Sequence, residues 1–314
     1  MEQNNKATSK AMIFIGNGFD VAHGYKTKYS EFYANSFELK ELASNGNILC
    51  QHILDNVKGD LWQDLECGLY KYSQKITEKY GEGNLYVAEN FKSELNSLKG
   101  ALFRYLDKEQ NKSIKENTGN DVDLLFSEWE TLAFWIVSFN YTFCVANYTL
   151  PSEKKYDLNI DKDKLIYQHG AINNLDRGGF NVTDSIVLGI DDSQKVEKAH
   201  SFLYKSQQNI YDRQSLLKQM DDTAIFIVYG CSMGPSDDFY FRNMFKDKKD
   251  KLFIIYGFGE ESLRELKKKT DEYCGGLYQY QTINEVLFVD SSKRNALFKT
   301  KKVLSSWKNK QLTR

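Results

Sequence analysis

Apolar positions along the chain fall into two patterns. Short, nearly continuous runs rich in β-branched and aromatic residues occupy residues 11–15, 133–139, 164–168, 185–188, 224–229, 252–256 and 286–289. Each predicts a strand. Several are apolar almost throughout, as expected of strands covered on both faces of a parallel sheet. Between the first two runs the period changes. Phe91, Leu95, Leu98 and Leu102 recur at spacings of three and four, which marks one face of a helix. Stretches 29–42, 48–57 and 65–79 have the same character, and the polar stretch 107–121 reads as a loop. Residues 194–220 predict a second helical region. Residues 293–314 predict a C-terminal helix whose lysines and arginines form a solvated face. The expected fold class is therefore α/β: a Rossmann-like, mainly parallel sheet flanked by helices. A large helical insertion at 30–132 follows the first βα unit, and a second helical segment spans 194–222. With only two prolines and no long Gly/Ser linker, the 314 residues are expected to form a single domain.

Composition narrows the function classes. Lys and Arg number 42 against 43 Asp and Glu, a net charge of −1, so there is no strong nucleic-acid signal. No apolar run is long enough to span a membrane, and the polar start lacks a signal-peptide core. A cytoplasmic location is expected. The five cysteines are odd in number, scattered and without a C-x-x-C pair, which argues against a disulfide framework and a zinc ribbon. No metal site is expected, and a homo-oligomer is left open.

Candidate chemistry gathers where predicted strands end. The first run is followed at once by Gly16-Asn17-Gly18-Phe19-Asp20. Glycines there let backbone N–H groups approach a phosphate, and a helix N-terminus adds free donors. Val21 stands where a dinucleotide fingerprint has its third glycine, and no Gly-Lys-Ser/Thr follows, so neither standard phosphate loop is matched. A tight βα turn held by Asp20 is the plain alternative. Gly230-Cys231-Ser232-Met233-Gly234 fits the G-x-S-x-G elbow of α/β-hydrolases. No histidine follows Ser232, however, so the order Ser, acid, His fails. The segment reads better as a second wall of a ligand crevice. Asp237 and Asp238 either contact a ribose there or cap the next helix. Asn140 lies in Ser138-Phe139-Asn140-Tyr141-Thr142, and His169 precedes Gly170. Both stand at ends of predicted strands. A histidine so placed can act as a general base near neutral pH, or be structural.

Taken in order, these segments resemble the bacteriophage abortive-infection AbiH family. The resemblance rests on residues 15–32 (IGNGFDVAHGYKTKYSEF), Trp62-Gln63-Asp64-Leu65-Glu66, Phe139-Asn140-Tyr141-Thr142, His169-Gly170 and residues 229–237 (YGCSMGPSD). It covers roughly residues 11–260. The same order is remotely similar to the sirtuins. There, a glycine loop like Gly16–Gly18 followed by Gly24 precedes an asparagine like Asn140 and a His-Gly like His169-Gly170. A late Gly-x-Ser like Gly230–Ser232 completes it. The sirtuin zinc cysteines are absent, and Thr142 replaces the aspartate expected two positions after the asparagine.

These resemblances imply a phage-defence effector that binds NAD, or an ADP-ribose-like nucleotide, and hydrolyses the nicotinamide–ribose bond. NAD would be substrate or ligand, and no further cofactor is required. Asn140 and His169 are the implied catalytic pair. Gly16, Asn17, Gly18, Phe19, Asp20, Gly24, Gly230, Ser232 and Asp237 are the implied nucleotide-binding set. His23, Asp64 and Glu66 are further candidates, the two acids only if the insertion folds over the crevice. Two other readings stay open: a non-catalytic nucleotide sensor, and a metal-dependent nuclease built on Asp64 and Glu66 with Asp191 and Asp192.

Overall fold

A computed structural model describes residues 10–56, 62–112, 133–142, 165–172, 186–208 and 213–312. Its centre is a six-stranded sheet of β1 (Lys10–Ile15), β2 (Ala133–Ser138), β3 (Leu165–Tyr167), β4 (Ile225–Tyr229), β5 (Leu252–Gly257) and β6 (Glu285–Asp290), ordered β3-β2-β1-β4-β5-β6. Every pairing is parallel. This is the doubly wound order in which the chain reverses direction between β1 and β4, opening a crevice beyond the carboxyl ends of those strands.

Period-2 alternation explains why the strands read as continuous apolar runs. Met12 and Phe14 enter one core with Phe226, Val228 and Phe253. Ile13 and Ile15 enter the opposite core with Ile227, Ile254 and Tyr256. Both faces are covered, so neither set of side chains can be polar. Leu216 and Met220 of the helix Arg213–Asp221, and Phe241 and Phe245 of Asp238–Phe245, close the first face. Leu304 and Trp307 of the C-terminal helix Ala296–Leu312 close the second. Each such side chain contributes about 1.5–3 kcal/mol of burial. Lys299, Lys301 and Lys302 of that last helix are exposed, as its charge pattern predicts.

Between β1 and β2 the described chain is helical: α1 (Gly18–Ala22), α2 (Tyr29–Asn35), α3 (Phe37–Ser44), α4 (Ile48–Asn56), α5 (Trp62–Tyr80) and α6 (Leu85–Gln110). From α2 to α6 these helices build a core of their own, in which Phe91, Leu95, Leu98 and Leu102 of α6 meet Tyr29, Phe32, Leu49 and Leu69.

Three boundaries differ from the sequence expectation. Stretch 29–42 is two helices, because Ser36 leaves helical geometry and its hydroxyl accepts from the Leu39 N–H at 3.2 Å, capping α3. Stretch 107–121 begins as helix, since α6 runs to Gln110, and its residues from 113 onward lie outside the described ones. Residues 194–220 hold two 3₁₀ turns, Lys198–Leu203 and Lys205–Gln208, before the α-helix Arg213–Asp221.

The predicted strand at 185–188 is not in the sheet. Ile186 makes a single antiparallel bridge to Gly170, and the Val187 N–H donates to the His169 carbonyl at 2.8 Å. Its apolar residues are buried because Ile186 and Leu188 belong to the helical core, a distinction that a short apolar run does not carry. Among the described residues no helix is long and apolar enough to cross a membrane.

Candidate functional site

β1, β2 and β4 end level: Ile15 is in register with Ser138 on one side and Tyr229 on the other. A cavity of about 620 Å³ opens beyond these ends, within the range of small-ligand sites. Its floor is the turn after β1 interlocked with the turn after β4. The Gly16 N–H donates to the Tyr229 carbonyl and the Gly18 N–H to the Gly230 carbonyl, both at 2.9 Å. A Cβ on Gly16 would sit 2.5 Å from the Gly230 oxygen. One on Gly230, whose φ is +67°, would sit 2.5 Å from the Phe19 nitrogen. These glycines therefore answer first to backbone contact between two turns. The Gly16 and Gly18 amides are thus committed to backbone carbonyls.

Asp20 is buried beside this floor. Its carboxylate accepts from Asn140 Nδ2 at 2.8 Å and from Thr142 Oγ1 at 2.6 Å, tying α1 to the segment leaving β2. Burial pushes the Asp20 carboxyl up to about 6, against the lowering effect of Thr142, the His23 charge and Asn140. Both oxygens of Asp20 are thus engaged, one of them by Asn140. Asn17 also lines the cavity, held by a 2.6 Å hydrogen bond from Thr27.

A second, charged group is drawn from four segments. His169 Nε2 lies 3.0 Å from Asp237 Oδ1. Lys205 Nζ lies 2.6 Å from Glu66 Oε1 of α5 and 3.5 Å from both Asp237 Oδ1 and His169 Nε2. All four residues are largely buried. Burial alone would raise the Asp237 carboxyl, but the Lys205 and then the His169 charge outweigh it and hold it below the ordinary value. Burial alone would lower the Lys205 ammonium; Glu66 and Asp237 more than reverse that and raise it. The His169 ring packs on Phe139 at 5.4 Å between centroids.

Gly16, Asn17, Gly18, Asp20, Glu66, Asn140, His169, Gly230, Ser232 and Asp237 all line the one cavity. Four other candidates do not. Phe19 is fully buried in the core under the sheet edge. His23 turns back to donate from Nδ1 to the Phe19 carbonyl at 2.8 Å, Gly24 ends the α1 turn, and Asp64 is half-buried on α5. Asp237 makes no helix-capping hydrogen bond, and Asp238 pairs instead with Arg242 at 2.7 Å. Cys231 is an unreactive neighbour: burial, then the Asp237 charge, push its thiol well above the ordinary value. The carboxylates of the nuclease reading are engaged separately, Glu66 with Lys205 and Asp192 with Arg213. Among the described residues no three His, Cys, Asp or Glu gather as a metal site would require.

Sequence reasoning missed Lys205, which stands in no motif, and the role of Thr142 as a donor to Asp20. It also missed the far end of the cavity, where Phe258, Ser262 and Ser291 follow β5 and β6.

The sheet order and the crevice at its reversal define a Rossmann-like α/β protein with a cavity at the switch point. The model of the bacteriophage abortive infection AbiH family matches residues 12–256, from β1 to the end of β5. The chain belongs to that family, and its function lies in abortive infection of bacteriophage. No curated protein matches the sequence.

Proposed function

We propose that the cavity binds NAD or a related nucleotide and hydrolyses its nicotinamide–ribose bond, making the protein a catalytic effector of abortive infection. The observation that carries this reading is the 3.0 Å pairing of His169 with Asp237 in a switch-point cavity that Asn140 also lines. Nicotinamide leaves an N-riboside as a neutral ring and needs no proton from the protein. What remains is to stabilise an oxocarbenium-like ribose and to activate water. Asp237 and Glu66 supply negative charge. His169 takes a proton from the attacking water, and Asp237 stabilises the resulting imidazolium. The water oxygen bonds to the anomeric carbon as the carbon–nitrogen bond breaks, giving ADP-ribose, nicotinamide and a proton. Asn140, anchored through Asp20, orients a ribose hydroxyl or the water. The remote sirtuin resemblance supports the same assignment of Asn140 and His169.

The test is incubation of purified protein with NAD, with free nicotinamide read by chromatography. Wild type should release nicotinamide, while His169→Ala should lose at least ~10²–10⁴ of the rate, the usual contribution of a general base. Equal rates would remove His169 from the mechanism. A sensor reading is favoured instead if NAD raises the melting temperature saturably and no product forms.

A further inference from the structure

The charged side of the cavity makes a one-sided demand on a ligand. Asn140 spends its amide donor on Asp20, and its Oδ1 has no hydrogen-bond partner among the described residues. Glu66 pairs through Oε1 with Lys205, and its Oε2 is likewise without one. Both residues are more than nine-tenths buried, and both line the cavity. Buried polar atoms in native proteins are ordinarily satisfied, so orphaned acceptors on a cavity wall mark where a ligand's donors belong. Charge points the same way. Asp20, Glu66 and Asp237 all line the cavity, and the ammonium beside Glu66 and Asp237 is that of Lys205, with His169 adding charge only when protonated. Lys28 lines the cavity and is exposed.

We infer that this wall is a subsite for a cationic, hydrogen-donating group, namely a positively charged ribosyl heterocycle, with Glu66 of the helical insertion as its specificity-determining residue. The inference rests on the nucleotide reading above and deepens it. The ribose hydroxyls donate to Asn140 Oδ1 and Glu66 Oε2, and the ring cation is attracted by the excess carboxylate. An oxidised pyridinium nucleotide meets both demands. Its reduced counterpart has the same hydroxyls but a neutral ring, so it loses the electrostatic part alone.

The probes are NAD+ and NADH, with dissociation constants measured by calorimetry and nicotinamide release followed in parallel. Wild type should bind NAD+ about tenfold or more tightly than NADH, and Glu66→Gln should bring the two within about threefold. Glu66→Gln leaves Lys205 short of a partner. Should it fail to fold, Glu66→Ala, which removes the same single charge and leaves room for water at the Lys205 ammonium, is measured instead. Equal affinity of wild type for the two forms overturns the inference, as does a preference that survives loss of Glu66, or failure of either form to bind. A preference for NAD+ without nicotinamide release upholds the subsite and removes the hydrolase reading. Release without a preference does the reverse.

Discussion

Two buried carboxylates face the same cavity and are held in opposite ways. Asp20 is caged by neutral donors, the Asn140 amide and the Thr142 hydroxyl. Asp237 is caged by the Lys205 ammonium and the His169 imidazole. Burial wins at Asp20, whose carboxyl rises to about 6, and loses at Asp237, which is held below the ordinary range. Two good neutral hydrogen bonds do not offset desolvation of a carboxylate here, whereas an ammonium at 3.5 Å with an imidazole at 3.0 Å does. The difference assigns distinct work. Asp20 fixes the geometry of the strand ends, and Asp237 remains an anion that can support charge on His169.

Removing the cation from the charged cage should have the largest effect. Lys205→Met leaves Glu66 and Asp237 buried without their ammonium, and breaking such a pair typically costs about 3–5 kcal/mol. Denaturant unfolding at pH 7 measures it. A loss under ~1 kcal/mol, the size of an exposed pair, would mean that Lys205 does not hold Asp237 ionised.

The neutral cage should reveal itself through pH. A carboxyl raised in the folded state is still protonated there when the unfolded chain has already released its proton. Its contribution to stability therefore falls as pH rises from about 4 to about 6. A shift of this size corresponds to about 3 kcal/mol across the window. Asp237 works with the opposite sign: its contribution is present above the ordinary carboxylate range and is lost as pH falls below it. Asp20→Asn should abolish the decline between pH 4 and 6 while leaving the acid loss intact. Stability curves for the two proteins with unchanged slope in that window would refute the burial account of Asp20.

The smallest expected effect sharpens the contrast further. Thr142→Val removes one neutral donor from Asp20 and should cost about 1–2 kcal/mol. The cost should be greater at pH 7 than at pH 5, where more of Asp20 is protonated and needs the donor less. A cost independent of pH would assign Thr142 a packing role only.

The parts of this site legible in the sequence are those written into strand ends. An apolar run followed by Gly16–Gly18, or by Gly230, announces a place where backbone must turn sharply. Asn140 and His169 stand out because a polar side chain directly after a buried strand has little to pack against. Glu66 was visible as an acidic position on a helix, but its direction depended on how the insertion docks. Lys205 was not legible. It comes from a short 3₁₀ turn with no periodic signal, and its distance of 36 residues from His169 is bridged only in the fold. The sheet followed from its apolar runs for the same reason that residues 185–188 misled: burial, not pairing, is what an apolar run reports. Ser36 shows the converse, since a single cap divides a stretch whose periodicity looks continuous.

The central claim is that the switch-point cavity seats a nucleotide with its ribosyl heterocycle against Asn140, Glu66 and His169. The most direct measurement is a crystal structure with a carbocyclic NAD analogue, which keeps the cationic ring and resists hydrolysis. The prediction is an analogue lying over the Gly16–Gly18 and Gly230 turns, with its sugar-ring hydroxyls within hydrogen-bond distance of Asn140 Oδ1 and Glu66 Oε2. An analogue bound outside this cavity, one with its pyridinium at the Phe258 end, or none bound at saturating concentration would contradict it.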